Sequence, residues 1–311
     1  MIIKTRSESA ELMLLRSLSI RMSLSEKERS NFLNLEKGFK GEQQFDKWFE
    51  TNFSNEGLIL NDLLLESNNT IFQIDSLLIT SDVVYLLEIK NYEGDFYRDG
   101  DRWCTLSGNE IKNPLLQLKR SESLFRRLLQ DFGYKISVEA NLIFINPEFF
   151  LYQAPLNPSI IFPSQLNRFM DKLNKKSTNL KDRHQKLAKH LVSIKLKDSP
   201  YTRLPDYCYD QLEKGISCGG CNTLMDDIDA KEEILECKKC GNKEDVPAAI
   251  LRSVREFSML FPDKKITTNT IYEWCKGIRT KRTLQRILSQ NLNLIGFGRP
   301  SFYIFFQAKP D

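Results

Sequence analysis

The sequence predicts a mixed α/β (α+β) fold, a mixed sheet flanked by helices, followed by two smaller segments of different chemistry. Three observations carry this expectation. Across residues 38–150 the hydrophobic pattern runs helix, three or four strands, helix, strand. Four of the seven cysteines form two CxxC pairs. Residues 249–311 hold eleven cations against four anions, a net +7 in a chain whose total is only +4.

The elements follow in order. Residues 8–35 read as helix, with Leu12, Leu15, Ile20, Met22 and Leu24 apolar. Ser25 and Glu28 form an S-x-x-E capping pair that marks a fresh helix start. KGFKGEQQFDKWFETNF is a second amphipathic helix with Phe39, Phe45, Trp48 and Phe49 on one side. Strands are expected at 60–65, 70–80, 83–92 and 94–106, with Asn68-Asn69 and Ser81-Asp82 as turn signals. NPLLQLKRSESLFRRLLQDFG is a helix with Pro114 in its first turn, and VEANLIFIN returns to strand. Residues 160–197 are lysine-rich and helical. The expected divisions are 1–37 (helical), 38–155 (sheet domain), 156–206 (connector), 207–246 (cysteine-bearing) and 247–311 (basic).

Bulk properties narrow the function classes. A chain of 311 residues is long enough for two or three domains. At 41% hydrophobic and 28% charged residues it is a soluble globular composition. No apolar run approaches the ~20 residues that span a bilayer. The first residues, MIIKTRSESAELMLLRSLSIRMS, scatter charge through their apolar positions, unlike a signal peptide or anchor. The expected setting is the cytoplasm, without a membrane partner. There the paired cysteines imply metal and not disulfides. No GxxxxGK[ST] stretch exists, which excludes a P-loop motor.

One strand is at odds with its surroundings. Val83-Val84-Tyr85-Leu86-Leu87 is apolar without alternation, as in a strand covered on both faces, yet it ends in Glu88 and Lys90. These two share a face, being two residues apart on a strand. A hairpin turning at Ser81-Asp82 brings Asp75 of the preceding strand near Glu88. Two carboxylates that close repel, and a hard cation such as Mg²⁺ or Mn²⁺ relieves the repulsion through oxygen ligands. Lys90 then stands where it can position a water. Taken alone, the three residues also fit a cross-strand salt bridge.

Their flanks carry a resemblance. GFKGEQQFDKWF, FQIDSLLIT, VVYLLEIKNYEGDF and NPLLQL resemble, in order and spacing, the nuclease-related domain called NERD, over about residues 36–150. That family belongs to the restriction-endonuclease-like PD-(D/E)xK superfamily; this chain has Ile74 where the superfamily has Pro. The resemblance implies a restriction-endonuclease-like sheet, Asp75 and Glu88 as ligands of a catalytic Mg²⁺ or Mn²⁺, and Lys90 as the catalytic lysine. It further implies Glu42 as an additional acid near the metal and Gln117 as a residue orienting lysine, water or phosphate. Both also read as solvated polar positions. The implied chemistry is in-line hydrolysis of DNA phosphodiesters leaving a 5′-phosphate, by an endonuclease or nickase.

Cys218, Cys221, Cys237 and Cys240 lie as two knuckles separated by fifteen residues. Four thiolates satisfy a tetrahedral Zn²⁺ without an open position, so the site is expected to be structural; an iron–sulfur cluster is the alternative. The segment resembles the zinc ribbon appended to DNA topoisomerases, and either a structural staple or a nucleic-acid contact fits it. His184 and His190, six residues apart, do not share a helix face and are expected at the surface.

In the basic segment the order helix, short strand, two helices and a hairpin is that of a winged helix, whose third helix enters the major groove. Arg279, Lys281, Arg282 and Arg286 are expected on or beside that helix and Arg299 at the hairpin tip, contacting duplex or single-stranded DNA. A protein-binding role for the same segment, and a homo-oligomer, are compatible with the pattern. The expected function is a metal-dependent deoxyribonuclease; the alternative is an inactive DNA-binding, sensing or protein-interaction protein on a nuclease-like fold. Retention of Asp75, Glu88 and Lys90 together favours the first.

Overall fold

Along the chain the elements run β1 (Ile2–Lys4), α1 (Ala10–Arg21), α2 (Glu26–Asn52), β2 (Leu58–Ser67), β3 (Thr70–Ile79) and β4 (Val83–Lys90). Then come β5 (Gly94–Asp99), β6 (Arg102–Thr105), β7 (Glu110–Ile111), α3 (Pro114–Asp131), β8 (Ser137–Phe144), β9 (Phe149–Tyr152) and β10 (Ile160–Ile161). The remainder is α4 (Leu166–Asn174), α5 (Asp182–Ile194), β11 (Ile234–Glu236), β12 (Lys243–Asp245), α6 (Val246–Leu260), α7 (Thr268–Trp274), α8 (Lys281–Asn291), β13 (Asn293–Ile295) and β14 (Phe302–Ile304). This computed structural model describes residues 1–176, 179–197, 201–225, 232–298 and 300–306. The chain divides into two compact units, Met1–Ser9 with Leu33–Thr202, and Ala10–Phe32 with Arg203–Asp311.

The first unit is built on a six-stranded sheet in the order β1-β2-β3-β4-β8-β10. Strands β2, β3 and β4 are antiparallel neighbours, whereas β8 runs parallel to β4 and β10 parallel to β8, so the sheet is mixed. Strand β4 is apolar on both sides because both sides are covered. On one, Leu77, Leu86 and Leu142 pack with Leu118 and Phe125 of α3 and Leu187 and Leu191 of α5. On the other, Leu78, Tyr85, Leu87 and Ile143 meet Phe45 and Phe49 of α2 and Phe169 and Met170 of α4. The result is the expected helix–sheet–helix layering. A second sheet, β7-β6-β5-β9, adds Phe96, Trp103 and Phe149 to the first of these cores.

Local chemistry explains most boundaries. Asn68 and Asn69 both adopt positive φ (50° and 58°), as the tight turn between β2 and β3 requires. Ser25 and Glu28 make the expected box: the Ser25 amide donates to Glu28 Oε2 at 2.8 Å and the Glu28 amide to Ser25 Oγ at 3.4 Å. From there α2 runs without a break to Asn52, joining what the sequence divides into two helices. Residues 94–106 form two strands and not one, because Gly100 at φ 60° reverses the chain. The stretch expected as a connector contributes β10, α4 and α5 to the first unit.

In the second unit α6, α7 and α8 enclose Phe257, Ile271, Trp274, Leu284 and Leu288, joined by Leu18 of α1. Arg21 of α1 is buried there 4.0 Å over the Trp274 ring. Its guanidinium pairs with Glu256 at 2.7 and 2.9 Å and donates to the carbonyls of Glu213 and Gly215 at 2.7 and 3.0 Å. A buried charge is tolerated when its donors are met in this way. Strands β13 and β14 form an antiparallel hairpin, and Ile266 bridges to Tyr303. The expected helix, two further helices and hairpin follow in order, with the expected short strand reduced to the Ile266–Tyr303 bridge. Among the described residues no helix is long and apolar enough to cross a membrane.

Candidate active site

Strands β3 and β4 pair from Ile79↔Val84 to Ser76↔Leu87, and there the ladder stops. One step further, Asp75 and Glu88 sit on the sheet face that carries Leu77 and Leu86. Asp75 replaces the missing backbone partner: its Oδ2 accepts the Ile89 amide at 2.8 Å. The strands part at this point, and a carboxylate fills the gap. Asp75 is 8% and Glu88 1% exposed, so both acids are held at the margin of the core.

Glu88 is asymmetric. Its Oε1 accepts from Lys90 Nζ at 2.7 Å and from Gln117 Nε2 at 2.5 Å. Lys90 Nζ also donates to Gln117 Oε1 at 3.3 Å, closing a three-residue ring between β4 and α3. Glu88 Oε2, by contrast, is buried with no hydrogen-bond partner. A carboxylate oxygen left this way is costly unless something absent from the polypeptide fills the place.

Helix α2 brings the fifth residue. Gly41 lies against Asn91, just beyond β4, so closely that a Cβ at Gly41 would stand 2.3 Å from the Asn91 Cβ. The Asn91 side chain ties the contact by donating to the Lys37 carbonyl at 2.8 Å. This approach sets Glu42 near the middle of β3, where it acts electrostatically on Asp75. Glu42 Oε2 accepts from Arg6 Nη1 at 2.7 Å, while Arg6 grips Asp46 through two bonds of 2.8 and 2.9 Å and reaches Ser76 Oγ at 3.3 Å.

The electrostatics follow from burial. Burial, then the neighbouring Asp75, pushes Glu42 up to about 8, against the pull of Arg6. Burial and Asp75 likewise raise Glu88 to about 7, with Lys90 opposing. Asp75 is itself raised by burial, countered by Lys90 and the Ile89 amide. Burial works against the Lys90 ammonium, but Glu88 and Asp75 outweigh it and hold Lys90 above its ordinary value. Burial thus pushes Glu42, Asp75 and Glu88 toward their protonated forms beside two cations, Arg6 and Lys90, and a cation bound among them would favour their ionised forms.

The donor set fits a hard cation: carboxylate oxygen ligands and a buried oxygen without a partner. Asp75 and Glu88 are the residues that would hold it. The ligand oxygens of Glu42, Asp75 and Glu88 are not all within 4.8 Å of one another. Of the residues expected from the sequence, Glu88, Lys90 and Gln117 are in direct contact, Asp75 lies one ladder step away on the Ile89 amide, and Glu42 acts on Asp75 electrostatically while bonded to Arg6. The sequence reading missed Arg6 and Asp46. Asp46 had a signal, being one helical turn from Glu42; Arg6 had none.

Comparison with known families adds one finding. Residues 37–145 match the family model of the nuclease-related domain, NERD. The NERD match covers about a third of the chain and contains Glu42, Asp75, Glu88, Lys90 and Gln117, while Arg6 lies before it. No curated protein and no solved structure matched the chain.

Two further features lie outside the NERD match. The sulfurs of Cys218, Cys221, Cys237 and Cys240 all fall within 4.8 Å of one another, with Cys218–Cys240 and Cys221–Cys237 each at 3.6 Å. Tetrahedral Zn²⁺ with bonds of ~2.3 Å requires sulfurs about 3.8 Å apart, so the cluster is of the right size to hold zinc. Gly241 at φ 71° turns the second knuckle. The two histidines take no part: His184 is buried at the start of α5, a correction to its expected surface place, because its Nδ1 accepts the Lys181 amide and so caps the helix. His190 packs against the Phe132 ring at 4.4 Å between centroids.

On α8, Lys281, Arg282 and Arg286 are exposed, the last two one turn apart. Arg279 precedes the helix, and its guanidinium is engaged with the backbone carbonyls of Ile278 and Glu232. Arg299 lies outside the described residues.

Proposed function

We propose that this chain is a metal-dependent nuclease that hydrolyses DNA phosphodiester bonds at the Asp75–Glu88–Lys90 site. The observation that carries the reading is the buried, partnerless Glu88 Oε2 within the NERD match, among carboxylates whose ionisation is opposed by burial. A divalent Mg²⁺ or Mn²⁺ bound there supplies Lewis-acid polarisation of the phosphoryl group and a more acidic water.

The polypeptide does the rest. The Ile89 amide fixes one oxygen of Asp75 and leaves the other for ligation. Lys90 and Gln117 both fix Glu88 Oε1, which directs Oε2 away from them. Lys90, kept charged by Glu88 and Asp75, is placed to hold an attacking water or a phosphate oxygen. Gln117 restrains the lysine through its carbonyl oxygen. In this reading the cysteine quartet is a zinc ribbon and the C-terminal helices and hairpin are a winged helix, with Lys281, Arg282 and Arg286 on its DNA-facing side.

The test is cleavage of plasmid and linear DNA by the full chain, with and without Mn²⁺, beside Glu88→Ala and Lys90→Ala. Metal-dependent cutting by wild type and a loss of roughly 10²–10⁴-fold in each variant is expected for groups that act on the reacting atoms. Equal cutting by all three proteins, or none on any substrate, removes the catalytic reading. Salt-dependent binding without cleavage selects the DNA-binding alternative.

A further inference from the structure

Helix α3 reaches the candidate site through Gln117 in its first turn, and its outer face, opposite the buried Leu118, Phe125 and Leu128 and beginning about 60° round from Gln117 at Arg120, is open. Lys119, Arg120 and Arg127 are all exposed, and none has an ion-pair or hydrogen-bond partner among the described residues. At about 100° per residue they fall within a ~100° arc of the helix, centred near Leu116, which is 61% exposed. Arg126, outside that arc, is by contrast committed to Glu122 and the Val138 carbonyl. Just before the helix, Lys112 is exposed and close enough to Glu88 to favour its charged form. The N-terminal end of α3, the positive end of its dipole, lies at the same place.

Unpaired cations along the outer face of a helix whose N-terminal end lies at candidate phosphodiester-cleaving residues are complementary to a polyanion and not to an apolar or cationic partner. From Gln117 to Arg127 the helix advances about 15 Å at ~1.5 Å per residue, the rise of about four or five nucleotides of B-form strand at ~3.4 Å each. A protein ligand would require an apolar centre, and Leu116 alone does not supply one.

We propose that the Lys119–Arg120–Arg127 face of α3, with Lys112 at its head, is the track on which the first unit holds a DNA strand and feeds it to the Asp75–Glu88 site. The strand is the substrate of the nuclease reading, on which this inference rests. The track gives the first unit its own hold on DNA, separate from that of α8. Arg120 stands nearest Gln117 and contacts the phosphate next to the scissile one.

The experiment uses the full chain in Ca²⁺ to suppress turnover, with labelled duplex and single-stranded DNA titrated at several salt concentrations. Three proteins are compared in a background of Lys281→Gln, Arg282→Gln and Arg286→Gln. The first is that background, the second adds Lys119→Gln, Arg120→Gln and Arg127→Gln, and the third instead neutralises Lys27, Arg29 and Lys47, exposed on α2. The α3 changes are expected to reduce the slope of log K against log salt by roughly two to three, and to weaken binding at low salt about tenfold or more. The α2 changes are expected to leave the slope within about half a unit of the background. Whichever DNA form loses the larger slope is the one the track holds. Unchanged binding in the α3 variant, an equal loss in the α2 variant, or no binding by the background protein overturns the track. Separately scored cleavage distinguishes the two ideas. Cleavage by wild type with an unaltered α3 slope removes the track alone, whereas an α3-dependent slope without cleavage supports the track and removes the nuclease reading.

Discussion

Arg6 shows what a single residue contributes to the site without reacting in it. Its guanidinium, 4% exposed, holds Asp46 with two bonds, Glu42 with one and Ser76 with one, across sequence separations of 36 to 70 residues. Arg is suited to this because its planar fork presents several donors at once. A lysine at the same position would keep the charge and lose the fork. Breaking a buried pair leaves its partner uncompensated, at a cost of about 3–5 kcal/mol for full removal. Arg6→Lys is therefore expected to lower stability by roughly 2–4 kcal/mol in urea unfolding. Asp46→Asn, which leaves the Glu42 contact in place, is expected to cost less. Equal stability of Arg6→Lys and wild type would show the network to be solvated. At this scale legibility in the sequence was uneven. Glu88 and Lys90 were readable because charge ends an apolar strand, and Asp75 because the turn at Ser81-Asp82 sets it opposite Glu88. Arg6 was not, because MIIKTRSESA has no periodicity and its partners lie far along the chain, on α2 and β3.

Among the elements, α2 carries its two glycines to opposite effect. Gly41 touches Asn91, and an added Cβ at 2.3 Å from the Asn91 Cβ forces either the helix or the end of β4 to move. Gly38, three residues earlier, has nothing within 4 Å of where its Cβ would stand. Gly41→Ala is expected to destabilise by about 1–3 kcal/mol, as overpacking does, and to weaken Mn²⁺ binding because Glu42 moves with the helix. Gly38→Ala is expected to stabilise by up to about 1 kcal/mol, since it removes a mid-helix glycine without a clash. Chemical denaturation and calorimetric Mn²⁺ titration check both, and matching behaviour of the two variants would refute the close-approach argument. The sequence contained both glycines in one motif, KGFKGE, but a linear pattern cannot report which one meets another segment. The cysteine quartet was easier, because CxxC spacing is itself the ligand geometry. Metal analysis of the purified chain is expected to find one zinc per molecule, and Cys237→Ser to lose it. The short strands β1, β7, β9 and β10 had no signal; with two to four residues each, they exist through their neighbours and not through their own pattern.

For the whole molecule, chain order and spatial order differ. Residues Met1–Ser9 belong with the sheet and Ala10–Phe32 with the C-terminal helices, a division that only long-range contacts such as Arg21 with Glu256 reveal. The layered sheet was legible because apolar runs and turn residues are local, whereas the partition of the N-terminal residues was not. Stability of the whole chain should report the candidate site through pH. Glu42 and Glu88 are raised to about 8 and about 7, and Asp75 is raised as well, so each folded-state value exceeds its unfolded one. The metal-free folded state then binds more protons than the unfolded state across this window. The stabilisation from these groups is complete below the ordinary carboxylate values and disappears as pH rises through about 7 to 8. A divalent cation acts in the reverse direction, because its ligands must be deprotonated and its binding stabilises only the folded state. The rise in Tm on adding Mn²⁺ is therefore expected to grow between about pH 6 and pH 9, while Tm without Mn²⁺ falls. Replacing both Glu42 and Glu88 by Gln is expected to flatten the two trends together. A Mn²⁺ increment that is independent of pH, or one that persists unchanged in the double variant, would mean that the cation binds away from these carboxylates and that their buried charge is met in some other way.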